Sequence, residues 1–148
     1  MQVGGAGPRQ VAVAAAVAGA LSGAPSTVHA VLTGRSPLAA ARAAGELLGS
    51  TSLVRGAAAH AAISLGWTTV LALVLPPRHR VPWGAACGLA IGVLDLSIAR
   101  RRHPAIAALP TAAQLADHLA FGALAARALP TPAPLSGSPA VGRHRPGR

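Results

Sequence analysis

Apolar residues run through this chain in four long stretches, separated by short clusters of Arg, Pro, Gly and Ser. The first stretch, over 10–33, is interrupted only by small polar residues, His29 and Pro25. Proline has no N–H to offer the carbonyl four residues back, so a kink is expected one turn before Pro25, around Leu21 to Ser22. Ser22, Ser26 and Thr27 stand close enough to satisfy the freed carbonyl, as membrane helices require. The second stretch, over 56–75, lies between Arg55 and Pro76-Pro77, and its only titratable group is His60. The third, over 82–99, opens on Pro82 and Trp83, where an interfacial aromatic belongs. It closes on Arg100-Arg101-Arg102, with Asp95 as its one charge. The fourth, over 107–129, carries Gln114, Asp117 and His118, with Thr111 as its expected N-cap. Each stretch is close to the roughly 20 residues that a helix needs to cross hydrocarbon.

Between the first two stretches, 37–48 is too short to cross and predicts a surface or re-entrant helix. Pro37 opens it without loss, because the first helical N–H has no partner anyway. Arg42 and Glu46 stand four apart on it, a spacing at which side chains meet. The Gly-rich residues 1–9 predict a flexible N-terminus. Residues 130–148, rich in Pro and Arg with little to bury, predict a disordered tail. The pattern therefore predicts an all-α integral membrane bundle of four transmembrane helices plus one short helix. Arg9 followed by an Ala-rich run and Leu21-Ser22-Gly23-Ala24 has the outline of a signal peptide. Hydrophobicity resumes beyond that site, so a retained span is expected.

Composition sharpens this reading. Charged residues make up 11% of the chain and hydrophobic ones 52%, whereas a soluble domain is about a quarter charged. There is too little charge to clothe a soluble fold. The net charge of +10 comes entirely from arginine, with no Lys, Tyr or Asn anywhere in the chain. That bias fits a GC-rich coding sequence, and the expected location is a bacterial plasma membrane, as the resemblance given below implies. The arginines flank the apolar runs, where they suit anionic headgroups. With one Phe and no Tyr, a stacking platform for nucleic acid is missing, and no nucleic-acid partner is expected. The basic residues on the two sides of the bilayer nearly balance, with a slight preference for cytoplasmic termini. Cys87 is alone, so no intrachain disulfide forms.

The costly residues carry the functional information. All three acids, Glu46, Asp95 and Asp117, lie in apolar or short helical segments, as do His29, His60 and His118. A charge at mid-membrane costs about 2.5–3.5 kcal/mol even on the milder insertion scale, so such groups call for explanation. At helical spacing, Gly19, Ser22, Gly23, Ser26 and His29 form one stripe, and Gly56, His60, Ser64 and Trp67 another. Gly84, Gly88 and Gly92 form a ladder leading to Asp95, while Gln114, Asp117, His118, Phe121 and Gly122 share a face. Polar stripes turn away from lipid, so His29, His60, Asp95, Asp117 and His118 are expected in the bundle interior. Gly19, Gly23, Gly84, Gly88 and Gly92 are expected at close helix contacts.

Three functions compete for these groups. The first is structural or accessory, with the inward polar groups bonded to one another or to Arg55. The second is a proton or cation path through Asp95, Asp117, His60 and His118, since imidazole titrates near neutrality. The third is an intramembrane enzyme, for which the chain offers little: no Lys, no nucleophile elbow and no phosphate loop. A metal site is disfavoured because no histidines pair at i, i+4 and adjacent Asp117 and His118 point about 100° apart. No cofactor and no catalytic residue are assigned. The expected partners are the lipid bilayer and either a second copy of the chain or another membrane protein.

The string Gly23-Ala-Pro-Ser-Thr with His29, the block Ser64-Leu-Gly-Trp67, and Gln114-x-x-Asp117-His118-x-x-Phe121-Gly122 resemble small four-pass membrane proteins of high-GC bacteria. The resemblance covers roughly 10–125. It implies a helical bundle and supplies no activity.

Overall fold

A computed structural model describes residues 6–131, which are helical with no strand among them. Three pieces are long and apolar enough to cross a membrane: Pro8–Leu32, Leu53–Val74 and Arg80–Arg102. The first is two helices, α1 (Pro8–Ser22) and α2 (Ala24–Leu32), joined at Gly23. α3 (Ala39–Ala44) runs into a 3₁₀ turn, Gly45–Leu48, which Gly49 ends at φ +87°, a left-handed conformation that suits glycine. α4 (Leu53–Val74) stops before Pro76-Pro77. α5 (Arg80–Arg102), one turn of α6 (Pro104–Ala107) and α7 (Thr111–Ala128) complete the chain.

The boundaries differ from the predicted ones for local reasons. α1 begins at Pro8, inside the segment expected to be flexible, because Gln10 Oε1 reaches back to accept from Gly7 N at 2.8 Å and anchors the first turn. α5 continues through Arg100, Arg101 and Arg102, whose charges suit the carbonyl end of a helix. The fourth stretch splits at Ala108–Pro110, and Thr111 is the first helical residue of α7 rather than its cap. Most of the predicted N-terminal segment and nearly all of the predicted tail lie outside the described residues.

Successive long helices run antiparallel. Gly19 of α1 faces His60 and Ser64 of α4, and Gly84 and Gly88 of α5 face Ala126, Gly122 and His118 of α7. α7 is the hub, packing against α1, α2, α4 and α5. The helix that carries Gln114, Asp117 and His118 is thus the most enclosed. A dry core of Val11, Ala14, Ala18, Leu71, Leu75, Ile91, Phe121, Ala125 and Ala126 fills one half of the bundle. A smaller cluster of Ala43, Leu96 and Ile106 closes the opposite end, where α3 and α6 meet. The polar residues lie between the two.

The α5–α7 contact is a seam of backbone on backbone. A Cβ at Gly88 would collide with His118 O, one at Gly122 with Gly84 O, and one at Gly92 would lie 2.8 Å from His118 Cβ. Only residues without a side chain let the helices come this close. Gly23, expected to pack in the same way, has no atom within 4 Å of where its Cβ would stand. It marks the helix break instead.

Candidate functional site

The break at Gly23 creates the site. Pro25 removes one N–H, and Gly23 N–H turns to Leu21 O, the carbonyl that Pro25 cannot serve. In an unbroken helix that N–H would have bonded to Gly19 O. The break therefore leaves Gly19 O as an orphan acceptor on one side and Ser26 N–H as an orphan donor on the other. In a medium without water, each such group costs several kcal/mol unless it finds a partner.

Both find partners on other helices. Asp117 Oδ1 of α7 accepts from Ser26 N at 2.8 Å, across 91 residues of sequence. A carboxylate at the first turn of α2 also meets the positive end of that helix. His60 Nε2 of α4 lies 2.9 Å from Gly19 O. A carbonyl only accepts, so Nε2 carries the proton. Ser26 Oγ donates to Gly23 O at 3.2 Å and closes the joint from within. The broken helix is thus capped in trans from two neighbours.

One turn away lies a second polar contact. Trp67 Nε1 of α4 donates to Asp95 Oδ2 of α5 at 3.0 Å. His118 Nδ1 sits 2.8 Å from Gln114 O and must donate to it, leaving Nε2 toward Asp95 Oδ2 at 3.8 Å. That separation is too long for a hydrogen bond. Asp95 and His118 are 29% and 25% exposed, so the pair is half-covered rather than sealed. Gln114, buried on α7, donates to Leu109 O at 3.3 Å and Ile106 O at 3.4 Å, holding the turn that precedes its helix.

Glu46 completes the set. Its Oε2 accepts from Ala105 N at 2.9 Å, tying the 3₁₀ turn to α6, and Arg42 is exposed instead of pairing with it. Arg55 donates to Leu48 O at 3.0 Å, not to an acid. Each of the three acids in the chain therefore accepts a hydrogen bond from a residue at least 28 positions away.

Of the five predicted interior groups, Asp95, Asp117 and His118 come together around α7. His60 sits at the rim, exposed except for its bond to Gly19 O. His29 does not reach the interior at all. It is exposed on α2, which buries no residue and packs on little besides α7. Trp67, Ser26 N and Gly122 are the participants that the sequence did not single out for these roles.

Among the described residues no three His, Cys, Asp or Glu side chains gather as a metal site would require. Among the described residues, two surface clefts lie beside polar groups. One, beside Ser26, His29, Arg35 and Gln114, has a volume of about 60 Å³. The other, of about 370 Å³, lies at the opposite end beside His79, Arg80 and Arg127. Asp95, Asp117, His60 and His118 line neither. No family model, no curated protein and no solved structure matches this chain.

Proposed function

We propose that this chain is a four-pass protein of a bacterial plasma membrane with a structural or accessory role, in which the intramembrane acids serve as joints between helices. The trans-capping of the α1–α2 break by Asp117 carries this reading. A carboxylate spent on an orphan backbone N–H is engaged in holding the bundle, and the same holds for Glu46 on Ala105 N. Three helices meet the length and hydropathy of a crossing. α7 is the fourth: at 18 residues it measures about 27 Å, near the roughly 30 Å of hydrocarbon. Its Gln114, Asp117 and His118 are each at least partly covered by neighbouring helices.

Two measurements test the proposal. Alkaline extraction of membranes should leave the chain in the pellet, and its release as a soluble protein would refute the membrane placement. Purified chain carrying Asp117→Asn should retain wild-type helicity and come close to wild-type melting, because the amide oxygen still accepts from Ser26 N.

One observation favours a second reading, a proton path. Asp95 and His118 face each other at 3.8 Å and are both partly exposed. Under the structural reading, vesicles containing wild-type chain conduct protons no faster than empty vesicles after a pH jump. A flux that Asp95→Asn abolishes would establish the path.

A further inference from the structure

We propose that the cleft between the α4–α5 turn and the end of α7 is a binding site for the headgroup of an anionic phospholipid; this rests on the membrane placement proposed above. The cleft is lined by His79, Arg80, Pro82, Arg127, Leu129 and Thr131 and has a volume of about 370 Å³, within the usual range of small-ligand sites. Two arginines and a histidine are among its lining residues. The chain has three acids in all, and each is engaged elsewhere. The acid nearest along α5, Asp95, is fifteen residues from Arg80, about 22 Å along the helix. Among the described residues no carboxylate pairs with Arg78, Arg80 or Arg127.

Arg80 marks where the ligand would sit. Its Nη1 donates to Pro130 O, which fixes the side chain at the cleft. Its Nε is enclosed by the protein and has no partner among the described residues, so it lies out of a ligand's reach. A phosphate in the cleft would meet the rest of the guanidinium, whose planar set of donors suits it. His79 adopts φ +54°, which turns the chain from the α4–α5 connection into the first turn of α5 at the cleft.

The surroundings select a lipid over a free anion. Trp83, 55% exposed, lies one turn below Arg80 at the depth of an interfacial aromatic. Val81 and Leu89, also exposed, lie on the same helix. A cationic cleft beside exposed apolar residues of α5 fits a molecule with an anionic head and acyl chains.

The test uses full-length chain in neutral detergent, titrated with dihexanoyl phosphatidylglycerol, dihexanoyl phosphatidylcholine or sodium phosphate while the melting temperature is followed. Phosphatidylglycerol should raise it saturably, and the other two should not. Arg127→Gln, at an exposed residue, should weaken the phosphatidylglycerol midpoint about tenfold. Arg101→Gln, exposed at the far end of α5, should change it less than about twofold. Equal stabilisation by phosphatidylcholine or by free phosphate overturns the site, as does an equal loss in both variants, which would mean diffuse charge attraction. Flotation with neutral phosphatidylcholine vesicles reads the membrane placement separately. Chain that floats but does not respond to phosphatidylglycerol overturns this inference alone, whereas chain that stays folded without vesicles or detergent overturns both.

Discussion

The α5–α7 seam and the α1–α2 joint hold the same bundle by opposite means. In the seam, Gly84, Gly88, Gly92 and Gly122 remove side chains until two backbones touch. Close approach of backbone to backbone, rather than hydrogen bonding, joins these two helices. In the joint, a proline and a glycine break the backbone ladder, and two side chains from other helices repair it. The seam is sensitive to added volume, while the joint is sensitive to lost acceptors and donors. The comparison teaches that a polar residue in an apolar helix need not signal transport: a broken helix creates its own demand for one.

The seam should be the more fragile of the two. Gly122→Val puts a branched side chain where Gly84 O stands. Overpacking of this kind costs about 1–3 kcal/mol and here should reach or exceed the upper end, because the obstacle is backbone. Denaturation in detergent should give Gly122→Val the largest loss of any single change considered, and Gly23→Ala almost none, since nothing lies near Gly23.

Removing Asp117 comes next. Asp117→Ala strands Ser26 N–H and should cost about 1–3 kcal/mol, with Asp117→Asn losing less than half as much. A double-mutant cycle sharpens the point. Pro25→Ala lets residue 25 donate to Leu21 O and rebuilds the ladder, so the Asp117→Ala penalty should shrink by about half in that background. Purely additive penalties would mean that Asp117 is not there for the break. Among the changes that remove an interaction, His60→Ala should have the smallest effect, about 0.6 kcal/mol, the average for an interhelical hydrogen bond in a membrane protein. Its ring is exposed and gives up little packing.

How far the sequence revealed these two regions follows from their physics. The glycine ladder was legible because Gly84, Gly88 and Gly92 recur on one helix at a spacing that keeps them on one face. Pro25 likewise announced a break within a turn of where it occurs. The partners were not legible. Asp117 and Ser26 lie 91 residues apart, and a backbone N–H leaves no mark in the sequence. His29 was misplaced because its stripe could not show that α2, unlike α1, has few neighbours to cover it. Gly23 itself looked like a packing residue because small residues serve both purposes. The fourth helix was found from its apolar face, yet its central position could not be read, since periodicity ranks faces and not neighbours.

The Ser26 amide offers the most direct test of the central claim that Asp117 caps a helix broken inside the bundle. Hydrogen exchange at that amide, followed by NMR on the micelle-embedded chain, should be slow in the wild type and in Asp117→Asn, and at least about tenfold faster in Asp117→Ala. Equal exchange rates in all three would contradict the account, because the carboxylate would then be doing something other than holding that N–H.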